Sequence, residues 1–469
     1  MTLQEEEIVK KDVSIKQIIF PIIFELLLVL ILFLKNKTAC FNYLYALIPL
    51  LLCTSFIGTY LYNRDGNMKI FSSTACLTSL GVALQYLIDE VYHPISTFSL
   101  VKLLMGIGVA IVFTICFRFF RKALNRPNTV FVMMVLSALI YAVLFFAGID
   151  PNGYGTSAWV RLGSFTLQLT DFTKIAAVLF YASLFTTNAH RSENQVLWLS
   201  NIFFLINLVG SLLIRELGSF FILIFLHLSI LYIFMRHGKK KRIYLITVFS
   251  LLLFAVIMVF VLYRIMYPAS VAGTLNAIER LLWPIVEKAY LRFSITANIN
   301  RDPLGAGYQL LQGKKALWMS GLFGNHVNFT AIPVVESDMA FVALCNGFGF
   351  VFGFFAIWMF WRLMIIGSEL SRKYLKKNRT DAIVIYGASV LLFMQAMIVI
   401  LGSCNVIPFT GLPIPFLSRG GTYQSIVFCF IGLLLHMSQP NVLEGGESDE
   451  PTTRQQTEET NLENGTLEA

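Results

Sequence analysis

Apolar runs of about twenty residues recur along almost the entire sequence, and they limit its possible folds more than any other feature. A helix needs about 20 mostly apolar residues to cross a lipid bilayer. Only 13% of the 469 residues are charged, whereas soluble domains carry roughly 25%. The candidate spans are 15–34, 40–62, 70–88, 98–118, 129–149, 171–187, 196–213, 218–235, 243–265, 338–361, 381–403 and 416–437. The sequence therefore predicts an all-α polytopic membrane protein with about twelve transmembrane helices.

Clusters of Lys and Arg between the apolar runs predict the orientation of the chain. Such clusters favour the cytoplasmic side of a membrane. Three of them fall on one side of a twelve-helix chain: Arg118, Arg121, Lys122 and Arg126; Arg236, Lys239, Lys240, Lys241 and Arg242; and Arg362, Arg372, Lys373, Lys376, Lys377 and Arg379. Both termini are then cytoplasmic, and 150–170, 266–337 and 404–415 face outward. Lys35 and Lys37 in the first hairpin run against this orientation.

The net charge of +9 does not indicate nucleic acid as a partner. Basic patches do bind phosphate backbones, but here the basic residues stand mainly in short clusters between apolar runs, where they set membrane orientation. The seven cysteines are scattered and form no CxxC pair, so the sequence indicates neither a cysteine metal site nor a disulfide framework.

Two segments differ from the apolar runs around them. The predicted outer loop 266–337 holds Trp283, Trp318 and several Lys and Arg residues. Long connections are usually functional or disordered, and the aromatic content of this one favours order. Its positive charge fits either an amphipathic segment at anionic headgroups or substrate binding. The tail 439–469 is acidic and almost without apolar residues, so we expect it to be disordered.

A compact motif lies in the predicted outer loop, from Arg301 through Asp302 to Gln309. Its sequence is R-D-P-L-G-A-G-Y-Q. The proline fixes its own φ, and Gly305 and Gly307 permit backbone geometries that are closed to other residues. Such a turn can hold one carboxylate in a set direction, although an Asp-Pro turn without any function would look the same.

Six motifs in this order resemble those of the SEDS family of membrane proteins, the FtsW/RodA/SpoVE group. They are Asn152-Gly153 with Trp159-Val160-Arg161-Leu162-Gly163; Gln168-Leu169-Thr170-Asp171 with Lys174; Glu216-Leu217-Gly218; Asp302 to Gln309; Ser320 to Gly324; and Gly411 to Thr422, which includes Ser418, Arg419, Gly420 and Gly421. The resemblance extends over roughly residues 70–438.

The resemblance implies a fold and an activity. Members of this family have ten membrane helices, so 70–438 is expected to be a SEDS-like core, and 1–69 an N-terminal addition of two helices. The implied activity is that of a peptidoglycan glycosyltransferase, which polymerises lipid II at the outer face of the bacterial cytoplasmic membrane. The implied partners are a class B penicillin-binding protein and other divisome or elongasome components.

The resemblance also implies which residues form the site. Asp302 matches the acid proposed as catalytic, and is expected to act as general base or as a metal-assisting carboxylate. The expected substrate-binding residues are Trp159, Arg161, Asp171, Lys174, Arg301, Gly305, Gly307, Tyr308, Gln309, Asp338, Ser418, Gly420 and Gly421. The sequence shows no metal ligand set. A divalent cation, Mg²⁺ or Mn²⁺, held by Asp302 and pyrophosphate oxygens remains open.

In the reaction that the resemblance implies, undecaprenyl pyrophosphate is the leaving group. Its departure needs positive charge nearby. The candidates in the sequence are Arg161, Lys174, Arg292, Arg301, Lys314 and Lys315. Asp171 and Lys174 are three residues apart on a predicted helix, so they share a face and can pair. Since ionisable residues inside a membrane face a partner or a cavity, this pair either holds helices together or lines the lipid II cavity.

Several positions depart from the family pattern. Val334 replaces an acid, Glu336 a histidine and Arg419 a tyrosine, and Asn346 and Gly347 replace two further carboxylates. We expect these changes to affect the outward-facing cavity. Two alternative functions therefore stay open besides the polymerase. One is a lipid II flippase or transporter, although no internal repeat typical of carriers is visible, and the other is a non-catalytic scaffold of cell-wall synthesis.

Overall fold

A computed structural model describes residues 3–92, 98–151, 153, 155–163, 165–186, 191–216, 218–235, 238–325, 332–419 and 421–440 of the chain. The tail beyond residue 440 lies outside this range, so its predicted disorder stays a prediction. The same holds for the predicted site residue Gly420.

The described chain is almost entirely helical. Its helices are α1 (Leu3–Lys35), α2 (Lys37–Tyr62), α3 (Met68–Val91), α4 (Leu100–Leu124), α5 (Thr129–Ala147), α6 (Thr170–Thr186), α7 (Glu193–Leu213), α8 (Gly218–Phe234), α9 (Lys239–Val271), α10 (Ala277–Ala297), α11 (Tyr308–Trp318), α12 (Ala340–Phe348), α13 (Phe350–Leu375), α14 (Arg379–Ser403) and α15 (Gly421–Met437). Within the described ranges, nine helices are long and apolar enough to cross a membrane, and α8 and α15 are shorter apolar helices. The prediction of an all-α polytopic membrane protein is confirmed, while the number twelve stays a prediction.

Two helices form the centre of the bundle. Most residues in the apolar windows of α3 and α14 are buried, whereas the corresponding window of α9 contains no buried residue. In α3 a run of small and polar residues, including Ser73, Thr74 and Thr78, is buried. The hydroxyls of these three residues each donate to the backbone carbonyl four residues earlier in the same helix. A polar residue can therefore lie in the interior of the bundle because its hydrogen bonds are made within its own helix.

The N-terminal helices α1 and α2 pack against α3 and α13 rather than standing apart. The ring of Phe24 in α1 stacks on Phe355 in α13 at a centroid distance of 4.9 Å. Glu25 is fully buried and accepts hydrogen bonds of 2.8 Å from Thr54 in α2 and Ser79 in α3. Glu25 thus joins three helices.

The predicted span 338–361 is wrong in its position. A short helix, α12, ends at Phe348, and the long helix α13 begins at Phe350 and runs to Leu375. Gly349 between them has a φ of 96°, a conformation that breaks a helix and that favours glycine. The predicted span 416–437 likewise begins too early, since Phe416 has a φ of 64° and α15 starts only at Gly421.

The predicted outer loop 266–337 is largely helical where it is described. It begins with the end of α9, continues as α10, and turns through a 3₁₀ segment at Ile299–Arg301 into the Asp302 turn and α11. A small hairpin also departs from the all-α prediction. In it β1 (Trp159–Leu162) pairs antiparallel with β2 (Phe165–Gln168), and Trp159 stands opposite Gln168. Gly163 in its turn has a φ of 61°.

Candidate functional site

A cavity of about 1790 Å³ opens at the face of the bundle that carries α10, α11 and the β1–β2 hairpin. The part of the cavity beside α10, α11 and the hairpin, called here its upper part, is polar, and charged residues from several connections converge there. The other part, called its lower part, reaches between α4, α6 and α15 and is apolar. The apolar wall is formed by Leu103, Val109, Phe113, Phe172, Ile175 and Cys429. The cavity can therefore take a ligand with a charged end and a lipid-like end.

The carboxylate of Asp302 is held by two backbone amides at the rim of this cavity. Oδ1 accepts from the amide of Gly305 at 3.0 Å, and Oδ2 accepts from the amide of Ala306 at 2.8 Å. Gly305 and Ala306 line the cavity, whereas Asp302 itself stands just behind them. Each carboxylate oxygen keeps a lone pair for a further partner. The turn thus fixes the acid beside the cavity without consuming its capacity to accept a proton.

Glycine is required at two positions of this turn because other atoms of the turn lie where a side chain would begin. A Cβ at position 305 would lie 2.7 Å from Oδ1 of Asp302 and closer still to Oδ2. A Cβ at position 307 would lie 2.7 Å from two backbone oxygens, those of Asp302 and Ile299. The spacing of the glycines in the motif therefore follows from the packing of the turn around the carboxylate.

Asp171 and Lys174 form a buried ion pair at the start of α6. The distance from Nζ of Lys174 to Oδ1 of Asp171 is 2.7 Å, and both side chains are fully buried. Nζ also donates to Oε1 of Gln395 in α14 at 3.0 Å, and it lies 5.1 Å from the centre of the Tyr423 ring. Gln395 in turn donates to the carbonyl of Pro413 at 3.0 Å. The pair thus links α6, α14 and the 411–419 segment, and Asp171 also lines the cavity.

The 411–419 segment is fixed by side chains that replace the missing regular hydrogen bonds. The hydroxyl of Ser418 accepts from the amide of Ile414 at 2.6 Å and donates to the carbonyl of Ser337 at 3.1 Å. Gln424 accepts from the amide of Phe416 and donates to the carbonyl of Ser418. This bonding satisfies buried backbone groups outside any helix, and it fixes one wall of the cavity.

Three cations face the cavity from one side. Lys288 and Arg292 are four residues apart on α10 and share a face, and Arg215 follows α7. Nζ of Lys288 donates to the carbonyl of Arg215 at 3.3 Å, and Arg292 donates to the carbonyl of Thr410 at 3.1 Å. Burial and the neighbouring Arg292 lower the pKa of Lys288 to about 8. The positive charges are therefore close enough to oppose one another, which favours binding of an anion between them.

Acidic groups stand near these cations. Burial and the nearby Glu336 together raise the pKa of Asp338 to about 6. Burial also raises the pKa of Glu216, whose Oε1 accepts from Ser219 at 2.7 Å and from Gln168 at 3.4 Å. Buried carboxyls with raised pKa values are typical of functional sites.

The structure brings most, but not all, of the predicted site residues to the cavity. Those that line it are Trp159, Asp171, Gly305, Tyr308, Gln309, Asp338, Ser418 and Gly421. Arg161 is exposed on β1, Arg301 stacks over Tyr290 at 5.2 Å, and Lys174 is buried behind Asp171; none of the three lines the cavity. Gly307 is buried within the Asp302 turn. Of the six cations considered for a pyrophosphate, Arg292 alone lines the cavity in the described chain.

The departures from the family pattern fall into two groups. Val334, Glu336 and Arg419 line the cavity, and Arg419 pairs with Asp89 of α3. Within the described chain, Asn346 and Gly347 do not line the cavity. Asn346 is buried; it donates to the carbonyl of Ala316 at 2.9 Å and accepts at 2.6 Å from the hydroxyl of Tyr92, which lines the cavity. At Gly347 an added Cβ would meet Leu87 of α3. For these two positions the expected effect on the cavity stays a prediction.

The sequence interpretation missed Arg215 and Lys288 as site residues. Lys288 does carry a local signal, because it precedes Arg292 by four residues on an amphipathic helix. Arg215 directly precedes the Glu216-Leu217-Gly218 motif, but only the approach of α10 to the connection after α7 brings it to the cavity. Within the described ranges, no three His, Cys, Asp or Glu side chains converge as a metal site would require.

The fold and the cavity define an integral membrane protein of many helices, whose charged connections meet over one central cavity. A family model for cell cycle proteins, FTSW_RODA_SPOVE, matches residues 67–442. The chain therefore belongs to the FtsW/RodA/SpoVE family, a family of bacterial multi-pass membrane proteins, and the predicted family is confirmed.

Individual relatives are distant but cover most of the chain. The chain is 25% identical to the probable peptidoglycan glycosyltransferase FtsW of Enterococcus hirae over 339 residues, or 69% of this chain and 78% of that protein. It is 24% identical to stage V sporulation protein E of Bacillus subtilis over 318 residues, or 66% and 78%.

Solved structures share the fold. A structure described under "Structural coordination of polymerization and crosslinking by a peptidoglycan synthase complex" has a TM-score of 0.61 and 20% identity, and the match covers 82% of this chain and 99% of that one. The rod shape determining protein RodA of Thermus thermophilus has a TM-score of 0.50 and 17% identity, and the match covers 80% and 97%.

Proposed function

We propose that this protein is a peptidoglycan glycosyltransferase that polymerises lipid II at the outer face of the bacterial cytoplasmic membrane. The observation that carries the proposal is the Asp302 carboxylate, which two backbone amides hold at the rim of a cavity of about 1790 Å³. Relatives in the same family are named as probable enzymes of this kind.

The shape of the cavity supports a lipid-linked substrate. Its apolar lower part, between α4, α6 and α15, suits an undecaprenyl chain, because an apolar chain is more stable against apolar side chains than in contact with water. Its polar upper part suits a pyrophosphate and sugars. One substrate molecule can thus lie with its tail in the membrane and its reacting carbon near the Asp302 turn.

Arg292 and Lys288 are the groups we assign to the pyrophosphate, with Arg215 beside them. A guanidinium binds phosphate oxygens through its bidentate fork, and an ammonium binds them as a point charge. Both side chains lie on the same face of α10 and line the cavity. The positive charge stabilises the negative charge that develops on the leaving group.

The reaction is a displacement at the anomeric carbon of the growing glycan. The sugar hydroxyl of a lipid II acceptor forms the new C–O bond while the bond from carbon to pyrophosphate oxygen breaks. Asp302 takes the hydroxyl proton, and undecaprenyl pyrophosphate leaves. One displacement inverts the configuration at carbon. Asp302 would also be the ligand of a divalent cation, Mg²⁺ or Mn²⁺, which when bound would neutralise pyrophosphate charge.

The proposal includes an orientation and partners. Both termini are cytoplasmic, and the Asp302 turn faces outward, as the basic clusters favour. A class B penicillin-binding protein supplies the cross-linking activity, within a divisome or elongasome. The likeness in fold to a chain of a peptidoglycan synthase complex supports such a partner.

The test uses the purified full chain with labelled lipid II, with and without its cognate penicillin-binding protein. Wild type is expected to make glycan chains, and Asp302→Asn is expected to make none. An arm with a chelator reports the metal requirement. If wild type and Asp302→Asn are equally inactive in all arms, the scaffold reading replaces the polymerase.

A flippase is the second function to compare. The same cavity, with its apolar arm open between membrane helices, would also suit a carrier of lipid II. Vesicles with lipid II on one leaflet distinguish the two. Protein-dependent crossing without polymer would favour the flippase.

A further inference from the structure

A surface of α11 and the turn after it is exposed although it is partly apolar. We call it the Trp318 patch, and it consists of Lys314, Lys315, Trp318, Leu322 and Phe323. Trp318 is 90% exposed, Phe323 71% and Leu322 65%. Exposed apolar patches of this kind usually mark an interaction surface.

The rest of α11 is packed, so the patch is the free side of a fixed helix. Leu310, Gly313 and Ala316 are buried on the opposite side. There is no room at Gly313 for a side chain, because Met339 lies against it. The two lysines and Trp318 recur at the spacing of one helix face. α11 is therefore an amphipathic helix whose apolar side is already used and whose other side carries both lysines and a tryptophan.

The lower end of the patch lies at the level where two membrane helices end. The carbonyl of Gly321 accepts from the amide of Phe350, and that of Leu322 accepts from the amide of Val351, at the start of α13. Nζ of Lys35, the last residue of α1, donates to the carbonyl of Phe323 at 2.6 Å. The turn is thus fixed to the ends of two candidate spans.

The patch is also continuous with the surface of α13 that faces lipid. Val351 is 45% exposed and Phe354 67% exposed, and both follow directly from Leu322 along the outside of the bundle. Tryptophan is enriched at the membrane–water interface, where its ring has an apolar body and a polar N–H. Lysine side chains at this level lie along apolar surface and keep their charge in the headgroup layer.

We propose that the Trp318 patch rests in the interfacial layer of the phospholipid bilayer. Trp318, Leu322 and Phe323 lie among the upper acyl chains, and Lys314 and Lys315 bind lipid phosphates. The Asp302 turn directly precedes the first residue of α11, Tyr308, and Trp318 is the last residue of this helix. The contact therefore attaches the end of α11 opposite the turn to the membrane surface. The bilayer thereby sets the height of Asp302 above the cavity.

The test uses the full chain in lipid nanodiscs and needs no activity. The fluorescence of Trp318 is obtained as the difference between wild type and Trp318→Phe. Nanodiscs contain phosphatidylcholine brominated either near the carbonyl or near the methyl end of the chain, and acrylamide is the aqueous quencher. Trp358→Phe gives the matched reference, because Trp358 is 52% exposed within the membrane-crossing α13.

The expected result is that shallow bromines remove about half of the Trp318 emission, and deep bromines and acrylamide remove much less. Trp358 emission should be quenched by the deeper bromines. Replacing Lys314 and Lys315 by Gln should weaken shallow quenching in discs that contain phosphatidylglycerol. Strong quenching by acrylamide with none by either lipid would overturn the proposal. So would shielding of Trp318 that appears only when a penicillin-binding protein is added, because the patch would then be a protein-docking surface.

Discussion

Replacing Gly305 with alanine moves the Asp302 carboxylate without changing any ionisable group. The added Cβ would lie 2.7 Å from Oδ1 and closer to Oδ2, whereas ordinary van der Waals contact begins at 3.4 Å. The carboxylate must therefore retreat by about 0.7 Å or more. Its hydrogen bonds to the amides of Gly305 and Ala306 are then lost or reoriented.

We expect this displacement to reduce the rate of glycan polymerisation by about 100-fold, which is roughly 2.7 kcal/mol of activation free energy. A misplacement of about 1 Å in a catalytic group is known to have effects of this size. The assay follows labelled lipid II into polymer with enzyme in excess, so that the chemical step is measured rather than product release.

The matched control is Gly108→Ala in α4. No heavy atom lies within 4 Å of the Cβ added there, and the backbone is helical. This variant should polymerise like wild type, and thermal unfolding should show that both alanine variants are folded. If Gly305→Ala is as fast as wild type while Asp302→Asn is inactive, the position of the carboxylate does not limit the rate and the geometric reasoning is refuted.

Three further predictions concern charged residues. The pKa of Lys288 is lowered to about 8, so its positive charge is present below that pH and lost above it. The KM for lipid II should therefore rise between about pH 7 and 9. The Lys288→Met variant should lose this pH dependence. Asp171→Asn leaves the buried charge of Lys174 without its partner and should cost about 3–5 kcal/mol, seen as a lower Tm, whereas a double replacement by Leu and Met should recover most of it. Glu25→Ala leaves two buried hydroxyls without an acceptor and should cost about 1–3 kcal/mol, measured as a lower Tm with polymerisation largely kept in the folded fraction.

Much of the fold could be predicted from the sequence because its determinants are local. A bilayer demands about twenty apolar residues for each crossing helix, and such runs are visible one at a time. Their boundaries were less secure. The break at Gly349 lies inside an apolar run, and only its φ of 96° shows that the helix stops there.

The Asp302 turn could also be predicted locally. Its proline and glycines are within six residues of the carboxylate, and they act on the backbone directly. The sequence could not indicate that Gly305 is needed for lack of space rather than for an unusual φ. That reason appears only in the tertiary structure, where the carboxylate oxygens of Asp302 lie next to the Cα of Gly305.

The sequence by itself therefore determined the membrane fold, the family and the geometry of one turn. The tertiary structure decided which charges meet. Lys174 reaches Gln395 across 221 residues of chain, and Arg419 reaches Asp89 across 330. It also selected Arg292 from six candidate cations and added Lys288 and Arg215. The physical reason is that helix periodicity fixes which residues share a face, while the packing of whole helices fixes which faces meet.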